Sequence, residues 1–192
     1  MSAGEVISAL EREIGALPPG LRDHVLRVVE EARRLARLHG VDEERATIAA
    51  LGHDLMRGHA PAELLRHAEM SGLVVSAVER SQPVLLHGPL SARAMNERFG
   101  VSDADALAAA SHHTTARAGM SALERLIFVA DKIEPEKAAA DPALARAREL
   151  ATDSLDAALR VILDRQVARA VERGWPLHPD TVAARNELLA PE

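Results

Sequence analysis

Cysteine and tyrosine are both absent from these 192 residues, which also hold a single tryptophan and two phenylalanines. Without cysteine there can be no disulfide, iron–sulfur cluster, thiolate zinc site or thiol nucleophile. So few rings leave the core to Leu, Ala, Val and Ile. That composition suits helices, because Ala and Leu are strong helix formers. Long apolar runs are missing too: none approaches the ~18 residues needed to cross a bilayer. The first residues lack the basic-then-apolar pattern of a secretory signal. The expectation is a cytoplasmic protein that does not engage a membrane. Basic charge is also in deficit, with 23 Lys and Arg against 29 Asp and Glu and a net charge of −6. This argues against a nucleic-acid groove, which wants a basic stripe and aromatic platforms. A phosphate-rich small molecule stays open, provided metal ions supply the positive field locally.

What is present is helical punctuation. The pattern predicts helices over about 4–15, from Pro19 to His39 with Gly40 as its stop, and from Asp42 into Gly52-His53-Asp54. Pro61 opens a short helix ending near Gly72, and another is expected over roughly 73–80. Pro89 suits the first position of a helix running to Phe99, stopped by Gly100. Ser102 is expected to open the next helix. Ser121-x-x-Glu124 is a capping box, so a helix starts there and ends before Pro135. Further helices are expected near 141–151, 153–173 and 180–189, with the Ala-rich stretch 136–147 as a connection. No period-two strand appears. The prediction is an all-α, single-domain bundle of about eight to ten helices. Residues 1–17 would form an N-terminal helical extension, and 18–192 the domain proper with its C-terminal helices packed on it. Leu155, Leu159, Ile162 and Leu163 could serve a homodimer or pack on their own domain.

Nine histidines is a generous supply, and their placement separates them. His39, His59, His67 and His178 fall in predicted turns or on polar faces and read as surface residues. His24 lies on the apolar stripe of Leu21, Val25 and Val28. His53 shares a face with Ala46, Ala49 and Ala50. Leu107 and Ala110 lead at three-residue steps to His113, and Leu123 and Ile127 lead at four-residue steps to Asp131. Each of these polar side chains therefore faces inward. An inward carboxylate is costly unless it is paired or binds a metal. Arg57 or Lys132 could pair Asp54 or Asp131, giving a structural salt-bridge core. That bland reading leaves the inward imidazoles unexplained. Imidazole with carboxylate is the ligand set for divalent metals without sulfur.

His24, His53-Asp54 and Asp131 resemble the H…HD…D pattern of the HD-domain metal-dependent phosphohydrolase superfamily. The finer resemblance is to its YqeK branch, over about residues 21–189. It rests on Ala-Ala-Leu-Gly-His-Asp-Leu-Met-Arg (49–57), Leu-Leu-His-Gly-Pro (85–89), His-His-Thr-Thr (112–115), Ala-Asp-Lys-Ile-Glu-Pro (130–135) and His-Pro-Asp-Thr-Val-Ala-Ala-Arg-Asn (178–186). The resemblance implies symmetrical hydrolysis of diadenosine tetraphosphate to two ADP by metal-activated water. It also implies two divalent ions, typically iron, with manganese or magnesium as other candidates. By position, His24, His53, Asp54 and Asp131 would hold one metal. His87 and His113 would hold the second, with Asp54 bridging. Asp54 and His53 would be catalytic, and Arg57, Lys132 and Thr114 would contact substrate. Gly52 departs from the larger apolar residue usual in the branch, which would loosen the packing behind His53. His112 reads as surface or as a neighbour of the ligands. With few rings available, adenine is expected to rest on aliphatic side chains, an Arg plane or backbone. Rival functions are an HD phosphohydrolase of nucleoside monophosphates or guanosine alarmones, a di-iron oxygenase, and a non-catalytic nucleotide-binding module.

Overall fold

The computed structural model describes residues 2–190, which fold into twelve α-helices and one 3₁₀ turn, with no strand among them. Met1, Pro191 and Glu192, which the expected extension and domain included, lie outside the described residues. Helix α1 (Ala3–Gly15) starts at a Ser2–Glu5 capping box and buries Val6, Leu10 and Ile14, one residue per turn. Helix α2 (Pro19–His39) takes Pro19 at its first position and ends where Gly40 adopts a left-handed φ of 66°. Asp42 caps α3 (Glu43–Gly52) by accepting from the Arg45 N–H at 2.9 Å. α4 (Pro61–Met70) and α5 (Ala77–Ser81) precede the 3₁₀ turn Pro83–Leu86 and α6 (His87–Phe99). α7 (Ala104–His112), α8 (Ala122–Ile133), α9 (Pro135–Ala140), α10 (Pro142–Leu150), α11 (Leu155–Arg173) and α12 (Pro179–Glu187) complete the order.

The core sits among α2, α3, α7, α8 and α11, with α8 packed against α2, α3, α7, α10 and α11. Its central strip is Leu123, Leu126, Ile127, Phe128, Val129, Ala130 and Ile133, all buried. Small side chains do much of the filling: Ala46, Ala49 and Ala50 of α3 and Ala106, Ala109 and Ala110 of α7 are buried. Close helix approach follows, and it brings the ends of α3 and α7 together. Leu155, Leu159, Ile162 and Leu163 are buried in this chain's own core and present no face to a partner.

Several expected boundaries are corrected. Residues 73–76 are not helical; Gly72 turns left-handed (φ 72°), and α5 starts only after the Ser76 capping box. α6 begins at His87 rather than Pro89, which takes the third position, where a missing N–H costs nothing because the first turn has no carbonyl to meet it. α7 is capped by Asp103, not Ser102: its carboxylate accepts from the Asp105 and Ala106 N–H groups. The stretch 136–147 is not a mere connection but most of two proline-started helices, α9 and α10, and this helps raise the count above the expected eight to ten. No described helix is long and apolar enough to cross a membrane.

Candidate metal centre

Five helices each bring a piece of the site. His24 comes from the second turn of α2, and Asp131 from the last turn of α8. His53 is the C-cap of α3, with Asp54 next in the turn that follows. His87 opens α6, and His113 is the C-cap of α7. These two elements approach closely because Gly88 lies against the α7 backbone: a Cβ there would stand 2.5 Å from the Ser111 carbonyl oxygen. All six predicted residues converge. Asp54 lies between them, with Oδ1 3.0 Å from His87 Nε2 and 3.4 Å from His113 Nε2. Its Oδ2 lies 3.6 Å from His53 Nε2 and 3.8 Å from His24 Nε2. One carboxylate thus offers a different oxygen to each pair of imidazoles. On the far side, Asp131 Oδ1 is 3.1 Å from His24 Nε2.

The histidines are held in one orientation. His53 Nδ1 donates to the Ala50 carbonyl at 2.6 Å, and His113 Nδ1 to the Ala110 carbonyl at 2.7 Å. His87 Nδ1 donates to the Val84 carbonyl, and His24 Nδ1 faces Glu134 Oε1 at 3.3 Å. With the proton on Nδ1, each ring turns its Nε2 lone pair toward the centre, as metal-ligating imidazoles do. Two observations show that this donor set fits cations. His53 Nε2 is fully buried and has no hydrogen-bond partner, an orphan that a folded protein does not leave without cause. His87 Nε2 and His113 Nε2 face each other at 2.9 Å, two lone pairs that need a positive centre between them. Donor atoms of His24, His53 and Asp131, and of His53, Asp54 and His113, lie within 4.8 Å of one another in each set and could hold a metal ion.

Protonation agrees. Burial pushes His53 below its ordinary value, and burial drives His113 down to about 4, so both are neutral at pH 7. For Asp54 burial works upward, but His53, His113 and His87 outweigh it and hold the carboxyl well below the usual range. Burial works upward on Asp131 as well, and is outweighed by Lys132 and Lys137 together with His24. Neutral imidazoles with ionised carboxylates are the state a divalent cation requires.

A cleft of about 700 Å³ opens over this cluster, lined by Arg57, Thr114, Lys132, Lys137, Arg169 and Trp175 among others. The chain is acidic overall; its cleft is not. Of the three expected substrate contacts, Thr114 sits beside the donor cluster, its hydroxyl 3.1 Å from His113 Nε2. Arg57 lines the cleft and makes no ion pair among the described residues. Lys132 takes the other expected role: its ammonium donates to Asp131 and to the His113 carbonyl at 2.9 Å.

Sequence reasoning missed four contributors. Glu134 positions His24 and is itself held by Arg27 Nε at 2.7 Å. Lys137 donates to Asp131 Oδ1 at 2.6 Å. Trp175 and Arg169 reach the cleft from the α11 end. Glu134 lay within the 130–135 motif and could have been found there; Lys137 lies six residues past Asp131, across the turn into α9, and Trp175 and Arg169 depend on tertiary packing. Three further corrections apply. His39, His67 and His178 are half-buried rather than plain surface residues: His39 Nε2 lies 2.7 Å from the Ala151 carbonyl, and His178 caps α12. Met95 fills the space beside Gly52, where a Cβ would stand 2.3 Å from its Sδ, so the packing behind His53 is not loose. His112 turns away from the cluster toward Glu124, at 3.2 Å.

Residues 21–136 match the HD-domain family. The chain belongs to that family, in its YqeK branch. It is 34% identical over 171 residues to a symmetrical bis(5'-nucleosyl)-tetraphosphatase of Halalkalibacterium halodurans, covering 86% of this chain and 87% of that one. A protein of the same description from Bacillus subtilis is 32% identical over 87% of this chain and 88% of its own length. The crystal structure of a predicted HD superfamily hydrolase involved in NAD metabolism from Clostridium acetobutylicum superposes with a TM-score of 0.89 at 30% identity. It covers 98% of this chain and 97% of the other. The HD-domain chain described here therefore shares its fold with that protein from end to end.

Proposed function

We propose that this HD-domain protein hydrolyses diadenosine tetraphosphate and related dinucleoside polyphosphates symmetrically, releasing two ADP. Its relatives of that description align over most of their length. The observation that carries the reading is Asp54, whose two oxygens face two different imidazole pairs. In this reading His24, His53, Asp131 and Asp54 would hold one divalent ion, and His87, His113 and the other oxygen of Asp54 would hold a second, with iron, manganese or magnesium as the candidates. Such a pair supplies an acidified water and a clamp on phosphate oxygens.

The chain's own residues do the rest. Asp54 and His53 fix the register of the two halves of the centre. Glu134 and the Ala50, Val84 and Ala110 carbonyls lock the imidazoles so that nothing reorients during reaction. Thr114 and Arg57, which both line the cleft, would hold phosphate oxygens. Water adds to one of the two central phosphorus atoms, and the bridging oxygen leaves with the other ADP. Arg57, which makes no ion pair among the described residues, would supply positive charge for the departing diphosphate.

The test is Asp54→Ala, assayed for bound metal by elemental analysis and for ADP release. Losing a direct ligand should exceed the ~10–100-fold cost of losing an outer partner. Both metal content and turnover should therefore fall, the latter by more than about 100-fold. Hydrolysis that persists without metal would overturn the reading. Product analysis over a panel of diadenosine tetraphosphate, a nucleoside monophosphate and a guanosine alarmone fixes the substrate class: two ADP supports the proposal, and turnover of only the others refutes it.

A further inference from the structure

Trp175 is the chain's sole tryptophan. Phe99 and Phe128 are buried, so Trp175 is the one indole or phenyl ring left open, at 45% exposure. Leaving so large an apolar ring in water gains nothing for the fold. Its position is nevertheless fixed. Gly174 turns left-handed at the end of α11 (φ 64°), and the Trp175 N–H donates back to the Ala170 carbonyl at 2.9 Å. The ring lines the cleft over the metal centre and also an adjoining hollow of about 230 Å³, with Thr114 and Arg169 shared between the two. Two guanidiniums lie over it: Arg173 Cζ 5.0 Å and Arg169 Cζ 5.8 Å from the ring centroid. Neither arginine has a carboxylate partner among the described residues. Arg169 lines the cleft and Arg173 does not, so Arg169 marks the face of the ring that a ligand would meet.

A flat indole in the cleft with an unpaired guanidinium over its ring is a stacking site for a planar π system. On the dinucleoside polyphosphate reading, that system is a purine. We infer that Trp175 and Arg169 form the platform for one of the substrate's two bases. The base stacks on the indole where Arg169 now rests, and the guanidinium is freed to cover the base or meet the adjacent phosphate. A second hollow on the cleft, lined by Lys137, Ala140, Leu144, Ile162 and Arg165 among others and sharing Arg169 with the first, offers no ring. With no second open indole or phenyl ring among the described residues, the two identical halves of the substrate are held by unlike sites. Stacking of this kind tolerates any base, because every base has a π face.

A lone tryptophan makes the test direct. In the metal-loaded wild-type protein, ADP should quench indole emission saturably, and inorganic pyrophosphate should leave it unchanged. Trp175→Ala should raise KM for diadenosine tetraphosphate about 5- to 150-fold, the range of one lost base stack. Its kcat should stay within about threefold of wild type, as for lost uniform binding. Trp175→Phe should recover most of the KM, and Trp175→Leu should not. Competitive inhibition by ADP with unchanged emission would overturn the platform, and so would a wild-type KM in Trp175→Ala. If the wild-type protein does not cleave diadenosine tetraphosphate, the proposed function fails. The fluorescence titration then decides the platform by itself: quenching by ADP sustains it, and silence refutes it.

Discussion

Three imidazoles of the centre are fixed by carbonyls three residues upstream: Ala50 for His53, Val84 for His87 and Ala110 for His113. The backbone itself thus selects the tautomer, and no dedicated side chain is needed. Only His24, in mid-helix with its upstream carbonyls already bonded, needs a carboxylate, and Glu134 supplies it. Behind His113 a different buried group sets a pH dependence. Glu124 is pushed upward by burial, but hydrogen bonds from His112, Arg117 and the Ser121 N–H outweigh this and bring it from 4.5 down to about 2. A carboxyl depressed in the fold binds fewer protons folded than unfolded between those values. Its stabilising contribution is complete above about pH 4.5 and drains away as pH falls toward 2. Glu124→Gln should therefore melt well below wild type at pH 7, and the gap should narrow between pH 5 and pH 2.5. Thermal melts of both proteins across that range check this; a constant gap would mean that the Arg117 and His112 contacts do not depend on the charge.

At the scale of elements, the ligands cluster at helix ends: His53 and His113 just past their helices, His87 at the start of its own. Helix ends can converge where helix sides cannot, and the small residues of α3 and α7 allow it. The junction most exposed to failure is α6 against α7 at Gly88. A methyl group there would meet the Ser111 carbonyl oxygen at 2.5 Å and the Ala110 carbonyl oxygen at 3.2 Å. Backbone cannot swing aside as a side chain can. Gly88→Ala should therefore part the helices, separate His87 from His113, and cost about half the bound metal with most of the turnover. Gly52→Ala meets only the Met95 side chain, which is flexible, and should cost stability with less loss of metal. Metal content per chain for the two variants distinguishes these outcomes. The same scale shows what the sequence made legible. Caps at Ser2, Asp42 and Ser121 are local chemistry, so α1, α3 and α8 could be placed from the sequence. The start of α6 could not, because Pro89 fits the first and third positions equally well, and a 3₁₀ turn runs straight into the helix. Residues 73–76 have an apolar content that fits a helix, but Gly72 and Ser76 set the turn and the cap instead.

For the whole molecule, charge is segregated rather than merely negative: a chain of net charge −6 lines the cleft over its donor cluster with Arg57, Lys132, Lys137 and Arg169. That could not be read from composition. The inward imidazoles and carboxylates could, because helical periodicity marks them; Lys137 could not, because the turn into α9 that brings it back onto Asp131 breaks that periodicity, and Trp175 could not, because it arrives from beyond α11 through long-range packing. Five helices meet at the donor cluster, and this makes cation binding a property of the entire fold. An ion that binds the assembled donors, and the unfolded chain far less, adds its binding free energy to stability. At a free concentration 100-fold above its Kd, one ion contributes about 2.7 kcal/mol. For a domain of this size each kcal/mol moves the midpoint about 2–4 °C, so each ion bound when manganese is restored to the chelated protein should raise it by roughly 5–11 °C. Asp54→Asn keeps the volume and removes the charge that both donor sets share, so its midpoint should hardly respond to the same addition. Scanning calorimetry of the two proteins with and without manganese reads this directly. A wild-type midpoint indifferent to the ion would mean that the six side chains converge for packing alone, with His53 Nε2 left buried and unpartnered at the fold's own expense.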